Sequence, residues 1–147
     1  MSLKTNVRHL VRSYRAVGGL LLIYWLILFT LTHLPKLKLP EMGRHSDKYM
    51  HFLAYGGLAF LLAALCSIKW KIGFTMLLRV FLITALYGFL DELSQVPIPG
   101  RMGDIQDWAA DLMGSLMGLL LFTMSYPIVR TLLRNRAAKK QTTVPLN

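Results

Sequence analysis

Residues 72–129 read IGFTMLLRVFLITALYGFL, then DELSQVPIPGRMGDIQD, then WAADLMGSLMGLLLFTMSYPIV. Two apolar blocks flank a segment rich in acids, proline and glycine. Each block is close to the ~20 residues that carry a helix across the hydrocarbon core of a bilayer. Neither alternates as a strand does, and a helix satisfies its own backbone hydrogen bonds within lipid. Working outward, two more blocks of the same kind precede them: MHFLAYGGLAFLLAALCSI at 50–68, and VGGLLLIYWLILFTLTHL at 17–34, stopped by Pro35. The fold predicted is all-α, an integral membrane bundle of four transmembrane helices at about 17–34, 50–68, 72–90 and 108–129. The transmembrane domain spans 17–131, between a basic N-terminus at 1–16 and a basic tail at 132–147 that loosens by Thr142.

Composition agrees. Of 147 residues 54% are hydrophobic, and almost every charge falls between the blocks rather than within them. A net charge of +10 raises the question of nucleic acid, but the basic residues sit at the termini and in one short turn, without interleaved aromatics on a soluble surface. Nucleic acid is therefore not an expected partner; the lipid bilayer is. The single Cys66 lies in an apolar block and reads as a small hydrophobe. The first block follows Lys4, Arg8, Arg12 and Arg15 as a signal peptide would, yet its apolar run is too long and lacks a small-residue cleavage site. It reads as a retained helix.

Lys and Arg also set an orientation. Eleven of the seventeen lie in the N-terminus, the Lys69–Lys71 turn and the tail; five lie in the other two loops, as Lys36, Lys38, Arg44, Lys48 and Arg101. The bias predicts both termini in the cytoplasm and both longer loops outside, in a multi-pass protein of the cytoplasmic (inner) membrane. Arg79 lies near the inner end of the third block, where it can snorkel.

All seven acids then fall on the outer half. Asp47 precedes helix 2, Asp91 and Glu92 finish helix 3, and Asp104, Asp107 and Asp111 enter helix 4, together with Lys48, His51, Gln95 and Arg101. Asp47 and His51 are four apart, as are Asp91 and Gln95, so each pair shares a helix face. Asp104, Asp107 and Asp111 form one stripe that continues into Gly114 and Gly118, small residues that admit a neighbouring helix; Gly56 and Gly57 offer a matching surface. The same glycines would equally serve a homo-oligomer.

Some of these positions have an ordinary structural reading. Asp47 and Asp104 stand where helix N-caps stand. Asp91 and Glu92 resist that reading, because the C-terminal end of a helix disfavours negative charge, and they call for Arg101, Lys48, a protonated His51 or a cation beside them. Asp111 lies a full turn inside the membrane helix, where an unpaired acid costs on the order of 2.5–3.5 kcal/mol. His51 has Asp47 one turn behind it to hold its tautomer. His33 and His45 read as interfacial residues, and Trp25, Trp70, Trp108 and Tyr49 as interfacial or packing aromatics.

The runs DKYMHFLAYGGLAFLL and YGFLDELSQVPIPGRMGDIQDWAADLMGSLMG resemble the VanZ-like membrane protein family. The family pattern is D-K-x-x-H-F, then D-E-x-x-Q, a Pro/Gly turn, R, and D-x-x-D-x-x-x-N. Here it falls on Asp47, Lys48, His51 and Phe52; Asp91, Glu92 and Gln95; Arg101; Asp104 and Asp107; with Asp111 where many relatives carry Asn. The likeness covers about residues 44–121. It implies a cell-envelope setting and a family named for a glycopeptide resistance protein, without naming a reaction.

The sequence supports a polar site at the extracytoplasmic face that binds or modifies an anionic lipid-linked or cell-envelope ligand, such as a cell-wall precursor. Arg101 and Lys48 would grip the anion. A divalent cation on Asp91, Glu92 or Asp107 would bridge to phosphate. In an enzyme, His51 or the Asp91–Glu92 pair would be the general base. Ser94 lacks the context of a nucleophile, and one histidine without a thiolate argues against zinc. No reaction is assigned. The alternative is a small membrane scaffold or accessory subunit whose polar cluster is a structural network. An ion pathway ranks last, since the inner halves of the first three helices offer only Thr75, Arg79 and Thr84.

Overall fold

A computed structural model of the protein describes residues 3–34, 46–99, 101 and 103–142. Expectations that rest on Lys36, Lys38, Glu41, Arg44, His45, Gly100 and residues 143–147 lie outside them. The described chain forms four helices: α1 (Leu3–His33), α2 (Ser46–Ser67), α3 (Phe74–Gln95) and α4 (Ile105–Thr142). Each contains a stretch long and apolar enough to cross a membrane: Arg12–His33, Ser46–Ser67, Phe74–Gln95 and Ile105–Thr131. The protein is a multi-pass membrane protein.

The helices overrun the apolar blocks, and mostly for local reasons. At the start of α4, Asp104 is the N-cap. Its Oδ1 accepts the Gln106 N–H at 2.8 Å, and its carbonyl accepts those of Asp107 and Trp108. The helix therefore begins three residues ahead of Trp108. At its other end α4 runs on through RTLLRNRAAKK, residues of high helix propensity, to Thr142, where the sequence suggested loosening. α2 opens at Ser46 with Asp47 in its first turn, where the helix dipole favours an acid.

Packing is centred on the α2–α4 pair, which share the most extensive contact in the bundle. Glycine makes that contact possible. A Cβ at Gly114 would collide with the carbonyl of Phe52, and one at Gly118 with the carbonyl of Gly56. The stripe glycines are thus used inside the bundle, against Gly56 as the spacing suggested. Gly57 instead faces Tyr24 of α1, whose hydroxyl donates to the Ala54 carbonyl at 2.8 Å.

The core is divided along the membrane normal. One half is apolar, built from Ala59, Ala63, Met76, Val80, Leu119 and Phe122. Leu28, Tyr55 and Leu58 form a second cluster. Beyond Tyr55, the interior turns polar. Outward faces carry Leu22, Ile23, Leu26, Leu82, Leu86, Leu120 and many similar residues, an exposed apolar surface suited to lipid and far beyond what a soluble monomer shows.

Candidate functional site

The polar end of the bundle holds the ten residues singled out in the sequence, and the structure divides most of them into two networks. The first joins α1 to α3. Asp91, at 3% exposure, accepts the Thr32 hydroxyl on Oδ1 at 3.1 Å and the Gln95 amide on Oδ2 at 3.0 Å. Gln95 Oε1 in turn accepts Arg101 Nη1 at 3.1 Å. The same guanidinium donates to the α1 carbonyls of Leu31, from Nη2 at 2.9 Å, and Leu34, from Nε at 3.1 Å. His33 adds a tie, with Nε2 2.9 Å from the Ser94 hydroxyl and Nδ1 2.9 Å from the Phe29 carbonyl. Arg101 was expected to grip an anion. In the structure it caps the end of α1, because orphan carbonyls at a helix C-terminus are strong acceptors.

The second network joins α2, α3 and α4. Lys48 reaches Asp104 Oδ2 at 3.0 Å and Asp107 Oδ1 at 2.9 Å. Glu92 Oε2 accepts the Asp104 backbone N–H at 2.9 Å, which sets its charge against the positive end of α4. That contact compensates an acid otherwise disfavoured at the end of its own helix. His51 Nδ1 lies 2.9 Å from Asp111 Oδ1 and 3.7 Å from Glu92 Oε1. The carboxylate holding Nδ1 therefore comes from α4, sixty residues on, and is not Asp47 one turn back. Asp47 itself is half-buried in the first turn of α2.

Most of the buried side-chain atoms that lack a hydrogen bond among the described residues lie at the second network; the Tyr87 hydroxyl is the exception. Glu92 Oε1, Asp111 Oδ2, the Tyr55 hydroxyl and the Ser115 hydroxyl are buried without a hydrogen-bond partner among the described residues. Among the described residues, the buried carboxylates Glu92, Asp107 and Asp111 are met by one ammonium and one imidazole. Buried charge without compensation is costly. Three of these residues, His51, Glu92 and Asp107, bring one ligand atom each to within 4.8 Å of one another, a spacing that suits a single metal ion. Asp91, a weaker metal candidate from sequence, is turned into the first network.

Residues 10–129 match the VanZ/LLP1 family. The chain belongs to that family. No curated protein and no solved structure matches it. The VanZ/LLP1 match covers all four membrane helices, so α1, which the shared motifs do not reach, belongs to the domain.

Three polar residues of this VanZ/LLP1 chain, Tyr55, Ser115 and Thr32, escaped the sequence reading, and His33, read as interfacial, joins the first network. Tyr55 and Ser115 carried a signal: each stands four residues after a recognised one, His51 or Asp111, on the same helix face. Thr32 and His33 carried none, being ordinary residues at the end of an apolar helix.

Proposed function

We propose that this VanZ/LLP1 protein binds a divalent cation at His51, Glu92 and Asp107, and through it the phosphate or carboxylate of a lipid-linked cell-envelope molecule. One imidazole with two carboxylates is an oxygen-rich set suited to Mn²⁺ or Mg²⁺ more than to a thiolate-seeking ion. The cation would occupy the bare Glu92 Oε1 and give an anionic head group something to bind, which Arg101 and Lys48, both engaged with protein oxygens, do not. Asp111 orients the imidazole, in the manner of a carboxylate beside a metal-binding histidine. The Lys and Arg bias supports an extracytoplasmic site in the cytoplasmic membrane. The observation carrying this reading is the unpartnered, buried Glu92 Oε1 within the His51–Glu92–Asp107 group.

Titrating detergent-purified protein with Mn²⁺ should give about one ion per chain, as expected of one three-residue site. Glu92→Gln and Asp107→Asn should abolish it. Anionic envelope lipids should co-purify with the loaded protein and be stripped by a chelator. Unchanged Mn²⁺ uptake in both variants would remove the proposal.

A second reading, the structural scaffold, is favoured by the closed chain Thr32–Asp91–Gln95–Arg101, in which each side chain meets a partner. It makes Glu92 a packing residue too. A scaffold predicts that Glu92→Gln lowers membrane abundance and melting temperature; a site predicts normal abundance with loss of the ion.

A further inference from the structure

The opposite end of the bundle carries a site of different chemistry. Between Ser67 and Gly73 the chain turns tightly from α2 into α3, with the N–H groups of Lys69 and Trp70 both returning to the Cys66 carbonyl. The turn, with Tyr126 and Arg130 of α4, lines an open cleft of about 610 Å³. That is within the volume range of small-ligand pockets. Lys69, Lys71 and Arg130 line it, and no ion pair to a carboxylate engages them among the described residues. The sequence puts no acid between Ser67 and Leu90 or after Asp111, and the acids of α2, α3 and α4 lie about 30 Å away at the other ends of those helices.

Other features point to the same ligand. α3 begins beside the cleft with no acid in its first turn and no side-chain cap on Gly73, so its positive end adds to the field. Trp70 is 53% exposed at the rim, and Tyr126 lies in the wall. Aromatics at this depth mark the membrane–water boundary. Ile68 and Ile72 supply an apolar floor. The Lys69 ammonium rests 4.2 Å from the centroid of the Tyr14 ring on α1, which leaves Lys71 and Arg130 to face the cleft with no partner among the described residues.

We infer that this cleft binds the phosphate of an anionic phospholipid head group at the membrane boundary, independently of the metal site at the other face. Cations and interfacial aromatics around a pocket between membrane helices are the chemistry by which such head groups are recognised. A free phosphate shares that chemistry but lacks acyl chains for the apolar floor.

Native mass spectrometry of the full-length, delipidated protein, re-supplied with phosphatidylglycerol or phosphatidylcholine, tests it. Phosphatidylglycerol should be retained over phosphatidylcholine by about tenfold or more, given two free charges near the membrane. Lys71→Gln/Arg130→Gln should erase the preference. Arg12→Gln/Arg15→Gln removes equal charge from exposed positions of α1 outside the cleft lining and should keep it. Lys71→Arg/Arg130→Lys, which retains both charges, should also keep it and guards against a folding defect. The inference is overturned if both Gln pairs lower the preference equally, or if neither does. It is overturned equally if millimolar inorganic phosphate displaces the lipid, which would make the cleft a site for the free anion.

Discussion

Among single residues, Asp111 shows how a buried acid is held in a membrane helix. Its Oδ1 faces the imidazole of His51 at 2.9 Å, while Oδ2 is buried and unpartnered beside Gly88, where even a Cβ would press on it. Asn keeps the acceptor toward His51 and replaces the bare oxygen with a donor for Tyr55 or Ser115. Asp111→Asn should therefore leave stability within about 1 kcal/mol, whereas Asp111→Ala, which orphans the ring nitrogen, should cost about 1–3 kcal/mol. Denaturant melts in mild detergent give both values. Arg101 invites the companion experiment. Its guanidinium serves Leu31, Leu34 and Gln95 at once, a fork that an ammonium cannot reproduce, so Arg101→Lys should lose about 1–2 kcal/mol in the same assay. Both cases mark what the sequence could show. The acids and His51 are visible as a convergence because ionisable residues are conspicuous near membrane helices. The carbonyls that draw Arg101 away are not, since a helix end presents acceptors whatever its sequence.

For the helices, the deciding contact is α2 on α4. Gly114 and Gly118 let the two backbones approach so closely that the carbonyls of Phe52 and Gly56 occupy the space a side chain would take. That approach lets Lys48 and His51 of α2 reach Asp104, Asp107 and Asp111 of α4. Gly118→Ala should destabilise the protein by about 1–3 kcal/mol or force the helices apart. Gly19→Ala, with nothing within 4 Å of the added methyl, should be neutral. If Gly118→Ala melts like the parent yet weakens Mn²⁺ binding, the helices have moved apart without unfolding and the proposed metal site has opened with them. This pairing was legible from spacing alone, because glycines at intervals of four align with the acid stripe on one face. The start of α4 was less legible: hydropathy ends where Asp104 and Asp107 begin, though a capped helix continues through them. Hydropathy measures the span, and capping sets the helix.

Across the whole molecule, the acids of the described residues gather at one end, with Lys48 and Arg101 among them. Acids, His51 and the metal-spaced group lie at one end of the bundle, with an apolar plug of Ala59, Val80, Leu119 and Phe122 behind them; Lys69, Lys71 and Arg130 lie at the other end. The plug separates the two ends. The separation also fixes what each face can bind, provided the orientation is the one the basic residues dictate. Retention of Lys and Arg on the cytoplasmic side acts through short loops and tails, and here it is eleven against five. A fluorescent protein fused after Asn147 should therefore glow in the cytoplasm. A cysteine placed at the exposed Pro97, in a chain whose Cys66 is replaced by Ala, should react with a membrane-impermeant maleimide from outside intact cells. If position 97 reacts only after lysis, the acidic pocket faces the cytoplasm. The cation-bridged ligand would then have to be a cytoplasmic phosphate compound, and the cell-envelope assignment would fall while the geometry of the two sites stood.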